Sequence, residues 1–357
     1  MIENMKNLLL LILLFAMNIT YSQQNKNWTI IYYAVGSNSS ELHLMSDIDE
    51  MKRGKKSSDY NLIMLVDRVE GYSEDSITLD GNFYDSRLYE INTNSYTRLE
   101  GKEYFPGITP LDSEELNMAD AENLKKFIQY CKKYYPANNY LLVLRSHGNG
   151  YGMCPDAESG DRDKLYTAEI TKVLSDDQSV DILGLDVCSM AGLENLYEWR
   201  PGTDRFSADY VIASSPLSGA WEYDKILERL DKNNPELREI VAGSDKKENY
   251  MLNPNEMTPQ QFTKLIYEEI LEHQQWASWG IFDNSYINEV KDKVDETSVL
   301  LSENNMGVVL EIIDRSLGYH HNTTDDLEVA QLTFPYVDAY HFWNQISSDE
   351  RLSVATR

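Results

Sequence analysis

Two short runs of this chain end in residues that can do covalent chemistry. Tyr140–Gly150 reads YLLVLRSHGNG, and its apolar stretch stops at His147. Asp181–Gly192 reads DILGLDVCSMAG, and its apolar stretch stops at Cys188. In both, a β-rich run gives way at once to small and polar residues. A cysteine attacks as its thiolate. A neighbouring imidazole can take the thiol proton and later return a proton to a leaving amine. Gly148 follows His147 directly, and its N–H can join that of Cys188 in an oxyanion hole. Either residue by itself reads best as core packing, since free cysteine is commonly buried. The two matching strand-tip contexts together favour a nucleophile and its base.

Such a pair, 41 residues apart, has to be brought together by the fold. The sequence alternates strand and helix signals. Trp28–Ala34, Tyr60–Val66, the run before His147, Ile182–Leu185 and Tyr210–Ala213 read as strands. Glu41–Met51 (with Ser40 as N-cap), Asp120–Tyr134, Thr167–Leu174 and Ala191–Glu198 read as helices. This order predicts an α/β fold: a mainly parallel central sheet flanked by helices on both faces, with a helical C-terminal part. In an open parallel sheet adjacent strand tips converge on one crevice, so His147 and Cys188 are expected to meet there. A strand tip leading into a helix would also place Cys188 near the helix's positive end. Thr258–Gln274 and Ile287–Ser302 read as helices with a short strand, Trp279–Phe282, between them.

The composition narrows the function. Lys+Arg number 32 against Asp+Glu 59, a net charge of −27. That charge argues against nucleic acid, whose phosphates need a basic surface, and attracts cations, basic peptides among them. Leu8 to Met17 is ten apolar residues without a break, after Lys6. A membrane-spanning helix needs roughly 20, so this run fits an export signal cut before Gln23. The expected organisation is a signal peptide at 1–22, a catalytic domain at 23–230, and a helical portion at 231–357 packed on the same domain. The protein is then secreted or periplasmic, without a membrane span. Three cysteines are too few for a disulfide framework. Cys131 reads as core, with Leu124, Phe127 and Ile128 on one helix face, and Cys154 reads as a loop residue.

These residues resemble the clostripain family of cysteine peptidases, which share a caspase-like fold with caspases, gingipains and legumain. The resemblance runs through NWTIIYYAV with Asp47–Met51, ELNMADAENLKKFI, YYPANNYLLVLRSHGNGYG, SGDRDKLYTAEITKVL, VDILGLDVCSMAGLENLYE and ADYVIASSPLSGAWEYDKIL. It implies a secreted endopeptidase that cuts after Arg or Lys, with His147 and Cys188 as the catalytic dyad. It matches Asp186 to an acidic residue of the pocket for the basic side chain, with Ser214 and Ser215 in the pocket loop. A carboxylate suits that task, most of all toward arginine. The chain departs from the family pattern at Ser37–Glu41, Ser146, Tyr151 and Ser189. The pocket loop carries no unambiguous second acid, Glu222 and Asp224 being the options. Several members cut themselves between the histidine and the cysteine. Here Gly152–Lys164 reads as an exposed polar loop with Arg162 and Lys164 as the basic residues. No cofactor is implied. Calcium stays open, since no EF-hand spacing is present.

Three other readings compete with this one. An inactive caspase-like relative that binds peptides at the cell surface would not need the intact Cys/His pair. A metal site of His147, Cys154 and Cys188 lacks ligand spacing. A serine hydrolase would need a G-x-S-x-G elbow, which the sequence lacks.

Overall fold

The computed structural model describes residues 26–150, 152–157, 163–214, 218–219, 221–230, 254–273, 279–284 and 319–321. Its frame is a nine-stranded sheet in the order β11-β10-β9-β8-β5-β1-β2-β3-β4. The inner strands are β1 (Lys26–Gly36), β2 (Asn61–Arg68), β5 (Ala137–Arg145), β8 (Val180–Asp186) and β9 (Ala208–Ser214). They pair in parallel. At the edges β3 (Ser86–Asn92), β4 (Ser95–Arg98), β10 (Trp279–Asp283) and β11 (Tyr319–His321) run antiparallel to their neighbours.

The inner strands are near-continuous apolar runs because both faces are covered. Alternate side chains feed two separate cores. Ile31, Tyr33, Val35, Leu142, Leu144, Leu183 and Leu185 pack on one face. There they meet helix α2 (Ala121–Tyr134) through Leu124, Phe127, Ile128 and Cys131, and α3 (Thr167–Val173) through Ile170. Trp28, Ile30, Tyr32, Leu141, Val143 and Ile182 point to the other face. There they meet α1 (Glu41–Gly54), α5 (Tyr223–Glu228) and α6 (Pro259–His273) through residues such as Leu44, Ile48, Leu227 and Phe262. The predicted core role of Cys131 matches its place, and burial pushes its thiol pKa well up.

The predicted elements appear with boundaries moved by a few residues. Asp120 caps α2, its carboxylate accepting from the Glu122 N–H. Ser40 does not cap α1 with its side chain; its hydroxyl instead contacts Asn38 Oδ1 at 2.6 Å and the Val35 carbonyl at 3.4 Å. Beyond residue 231, α6 packs on the sheet and β10 extends the sheet from β9. The expected signal peptide and the helix expected at Ile287–Ser302 lie outside the described residues. Among the described residues no helix is long and apolar enough to cross a membrane.

Candidate active site

The site grows from the C-terminal ends of β5 and β8. The two strands are neighbours, with Arg145 opposite Asp186. His147 and Cys188 each follow two residues beyond that pair, one step past the end of regular pairing. The tips stay in contact there. The Ser146 N–H points to the Asp186 carbonyl at 3.4 Å. Gly148 lies so close to Cys188 that a Cβ on it would sit 2.4 Å from the Cys188 carbonyl oxygen and 3.3 Å from its nitrogen. The glycine is therefore required by the neighbouring strand tip, and it sets its own backbone beside that of Cys188.

His147 is exposed at the rim and Cys188 half-buried. The His147 Nε2 lies 3.0 Å from the Ser39 hydroxyl. Partial burial, then the charge of Arg145, then that of His43, hold the imidazole pKa below its ordinary value. The shift favours the neutral ring, the form that accepts a proton. The Cys188 sulfur accepts from the Ser218 N–H at 3.4 Å and lies 3.7 Å from its hydroxyl. The expected helix start beside Cys188 is corrected. Ser189 turns the chain with φ +63°, and α4 (Leu193–Glu198) begins five residues after the thiol and runs for only six. The groups that meet the sulfur come instead from the loop after β9.

Beneath the rim is a buried charged floor. Arg145 Nε contacts Asp47 Oδ2 of α1 at 2.6 Å and Asp186 Oδ2 at 3.1 Å. The Tyr223 hydroxyl donates to Asp186 Oδ2 at 2.9 Å. Asp186 is 0% exposed, deeper than the pocket acid expected from the sequence, and it is already engaged. Burial is the main cause that raises both carboxyls, Asp47 to about 7 and Asp186 upward, while Arg145 opposes the shift. Asp186 Oδ1 and the buried Ser214 hydroxyl have no hydrogen-bond partner among the described residues. Trp221 covers this region by stacking near Tyr223, with ring centroids 5.8 Å apart. It fits over β8 because Gly184 has no side chain there: a Cβ would lie 2.7 Å from the indole.

The remaining sequence-predicted residues are placed as follows. Ser215 and Arg162 lie outside the described residues. Lys164 is not in an open loop. It belongs to β7 (Asp163–Tyr166), which pairs with β6 (Gly152–Asp156) as a small antiparallel sheet. Cys154 is likewise a fully buried member of β6, where burial raises its thiol pKa. The polar composition of Gly152–Lys164 concealed this hairpin, which inserts Met153, Cys154 and Leu165 into the core. Glu222 and Asp224 gather with Glu50 of α1, the three carboxylates within 4.8 Å of one another. Burial, with Asp224 and Glu222 next, raises Glu50 to about 7. A second acidic cluster joins Asp67, Glu115 and Asp156. Sequence reasoning did not anticipate Ser39, Asn38, Ser218, Asp47, Arg145 or Tyr223. Asn38 and Ser39 lie in a departure from the family pattern, and the other four lie in segments that carry the resemblance, where nothing marked their roles.

Comparison with known proteins gives a consistent picture. The model of the clostripain family matches residues 32–352. Clostripain of Hathewaya histolytica is 36% identical over 370 residues, covering 94% of this chain and 69% of that protein. The fold resembles that of a secreted C11 cysteine protease from Bacteroides thetaiotaomicron, solved with an irreversible peptide inhibitor. That match has a TM-score of 0.57 at 15% identity, over 83% of this chain and 84% of the other. A second structure from the same organism, called iotapain, matches at a TM-score of 0.56 and 13% identity, over 84% and 87%.

Proposed function

The chain belongs to the clostripain family and is a cysteine peptidase of caspase-like fold, and from this premise we propose that Cys188 is its nucleophile and His147 its general base. The observation that carries the reading is the contact between the two strand tips, where Gly148 touches the backbone of Cys188. The Cys188 thiolate attacks the scissile carbonyl carbon. The oxygen takes up the electron pair and is met by the N–H groups of Gly148 and Cys188. His147, having received the thiol proton, returns it to the leaving amine, and the C–N bond breaks. Water then hydrolyses the thioester and frees the thiol.

Substrates are proteins or peptides, cut after Arg or Lys. Two buried carboxylates share one guanidinium in the floor, so the cluster has a surplus of negative charge when both are ionised. The open acceptors Asp186 Oδ1 and Ser214 Oγ face no donor among the described residues. A basic P1 side chain, entering with the pocket loop that includes Ser215, would meet both needs. Residues 1–22 act as an export signal, and self-cleavage after Arg162, or after Lys164 once the β6–β7 pairing opens locally, activates the enzyme. Residues 23–230 and 231–357 serve one catalytic domain. A peptide library scanned at P1 tests the reading: the wild-type protein cuts after Arg and Lys, and Cys188→Ala does not cut. Preference for acidic or bulky apolar P1 residues, or turnover by Cys188→Ala, would overturn it.

A further inference from the structure

We propose that Ser39 is the positioning residue for His147: its hydroxyl accepts a hydrogen bond from the imidazole Nε2–H and leaves Nδ1 to exchange the proton with Cys188. This rests on the reading of His147 as the base. A dyad needs something to fix the tautomer of its histidine, because only one ring nitrogen of a neutral imidazole can accept a proton. Among the described residues, the hydrogen-bonding group at the ring is the Ser39 hydroxyl, 3.0 Å from Nε2. When Nδ1 is protonated, the same hydroxyl still accepts from Nε2–H, so the contact supports both states of the cycle.

The loop that presents Ser39 is built as a support. Asn38 is buried, and its side-chain amide donates to Ser146 Oγ at 3.0 Å and to the Pro155 carbonyl at 2.7 Å. Its Oδ1 accepts from the Ser40 N–H at 2.9 Å. Ser146 in turn donates to the Val35 carbonyl at 2.8 Å. The residue before Ser39 is thus tied to the residue before His147, and both to the end of β1. Ser39 is the exposed member between buried Asn38 and Ser40. An exposed serine held on such a hub has no packing duty, and among the described residues its side chain meets the imidazole.

The test compares Ser39→Ala, Ser39→Thr and Ser39→Val in the full chain on an Arg-P1 peptide, with His147→Ala alongside. Threonine and valine have the same shape and the same backbone preferences, but only threonine keeps the hydroxyl. The Ala and Val variants should lose roughly ten- to a hundredfold in kcat, the size of a lost hydrogen bond to a charged group. Their KM should stay within about twofold and Ser39→Thr should stay within about threefold of wild-type kcat. Equal loss in Thr and Val, a loss carried by KM, or unchanged kcat in Ala and Val would each overturn the role of Ser39. If His147→Ala is inactive while the Ser39 variants are not, only this inference fails. If His147→Ala turns over normally, the base assignment fails and takes the inference with it.

Discussion

The rim and the floor of the site are two residues apart on the same strands, and they are built on opposite terms. At the rim His147 is exposed, and among the described residues its ring has a single hydrogen-bond partner, Ser39. Among the described residues the Cys188 sulfur is met by one loop residue, Ser218. At the floor Arg145, Asp47, Asp186 and Tyr223 are buried and bonded to one another across two strands and two helices. Buried ion pairs are poor sources of net stability but are costly to break. The floor therefore acts as a clamp that sets β5 and β8 at one height. The rim is left lightly held, as groups that must change protonation and partners require. Reactivity and rigidity are separated by less than one turn of strand.

The sharpest way to break that contrast is Arg145→Met. Methionine keeps the stem and removes the charge, so Asp47 and Asp186 lose their shared cation. The expected cost is about 3–5 kcal/mol in urea unfolding. His147→Ala, two positions further on and exposed, should cost within about 0.5 kcal/mol while removing peptidase activity. Similar stability losses in the two variants would show that floor and rim are not distinct.

The sequence made much of this frame readable, for reasons that also explain its failures. Long apolar runs ending abruptly at His147 and Cys188 identified two inner strands and their tips, because a strand covered on both faces leaves little doubt about its extent. The partnerships were not readable. Arg145 meets Asp47 from 98 residues away, and Ser39 meets His147 from 108 residues away. Nothing local marks either contact, since an arginine at a strand end and a serine in a polar loop are ordinary by type. The β6–β7 hairpin was missed for a different reason. Its Gly, Pro and Asp residues have low strand propensity, and burial of Met153 and Leu165 overrides it. The helix after Cys188 was placed too early because Met190 and Ala191 look helical but are buried in the turn before α4.

A smaller effect is expected where the rim touches its neighbour, at Gly148→Ala. The added Cβ would lie 2.4 Å from the Cys188 carbonyl, a backbone atom that cannot swing aside. Overpacking of this kind costs about 1–3 kcal/mol, so the melting temperature should fall by less than for Arg145→Met. Activity should fall more than stability does, because the tips that carry His147 and Cys188 are forced apart. Active-site titration of Cys188, set beside kcat, separates the two. An alanine variant with wild-type turnover would mean that the tip contact does not align the dyad.

The last effect is a slope with pH, small at each step, and it belongs to the floor. Burial raises Asp47 from the usual carboxylate value to about 7, and raises Asp186 as well. A carboxyl whose pKa is higher in the folded than in the unfolded protein binds the extra proton in the folded state. Its contribution to stability is complete below the unfolded pKa, near 4, and is lost as pH rises through about 7. Wild-type stability should therefore decline between about pH 4 and pH 7 and level off above, by at most about 1.4 kcal/mol per pH unit for one proton. Asp47→Asn keeps an acceptor for Arg145 Nε and removes one of the two competing charges. Asp186 stays raised by its own burial, so the part of the decline that disappears is the part Asp47 carries. The decline should flatten in Asp47→Asn and persist in Ser39→Ala, whose change lies at the rim. Urea midpoints measured at half-unit steps of pH check this, and parallel curves for wild type and Asp47→Asn would mean that Asp47 holds no titrating proton in this range.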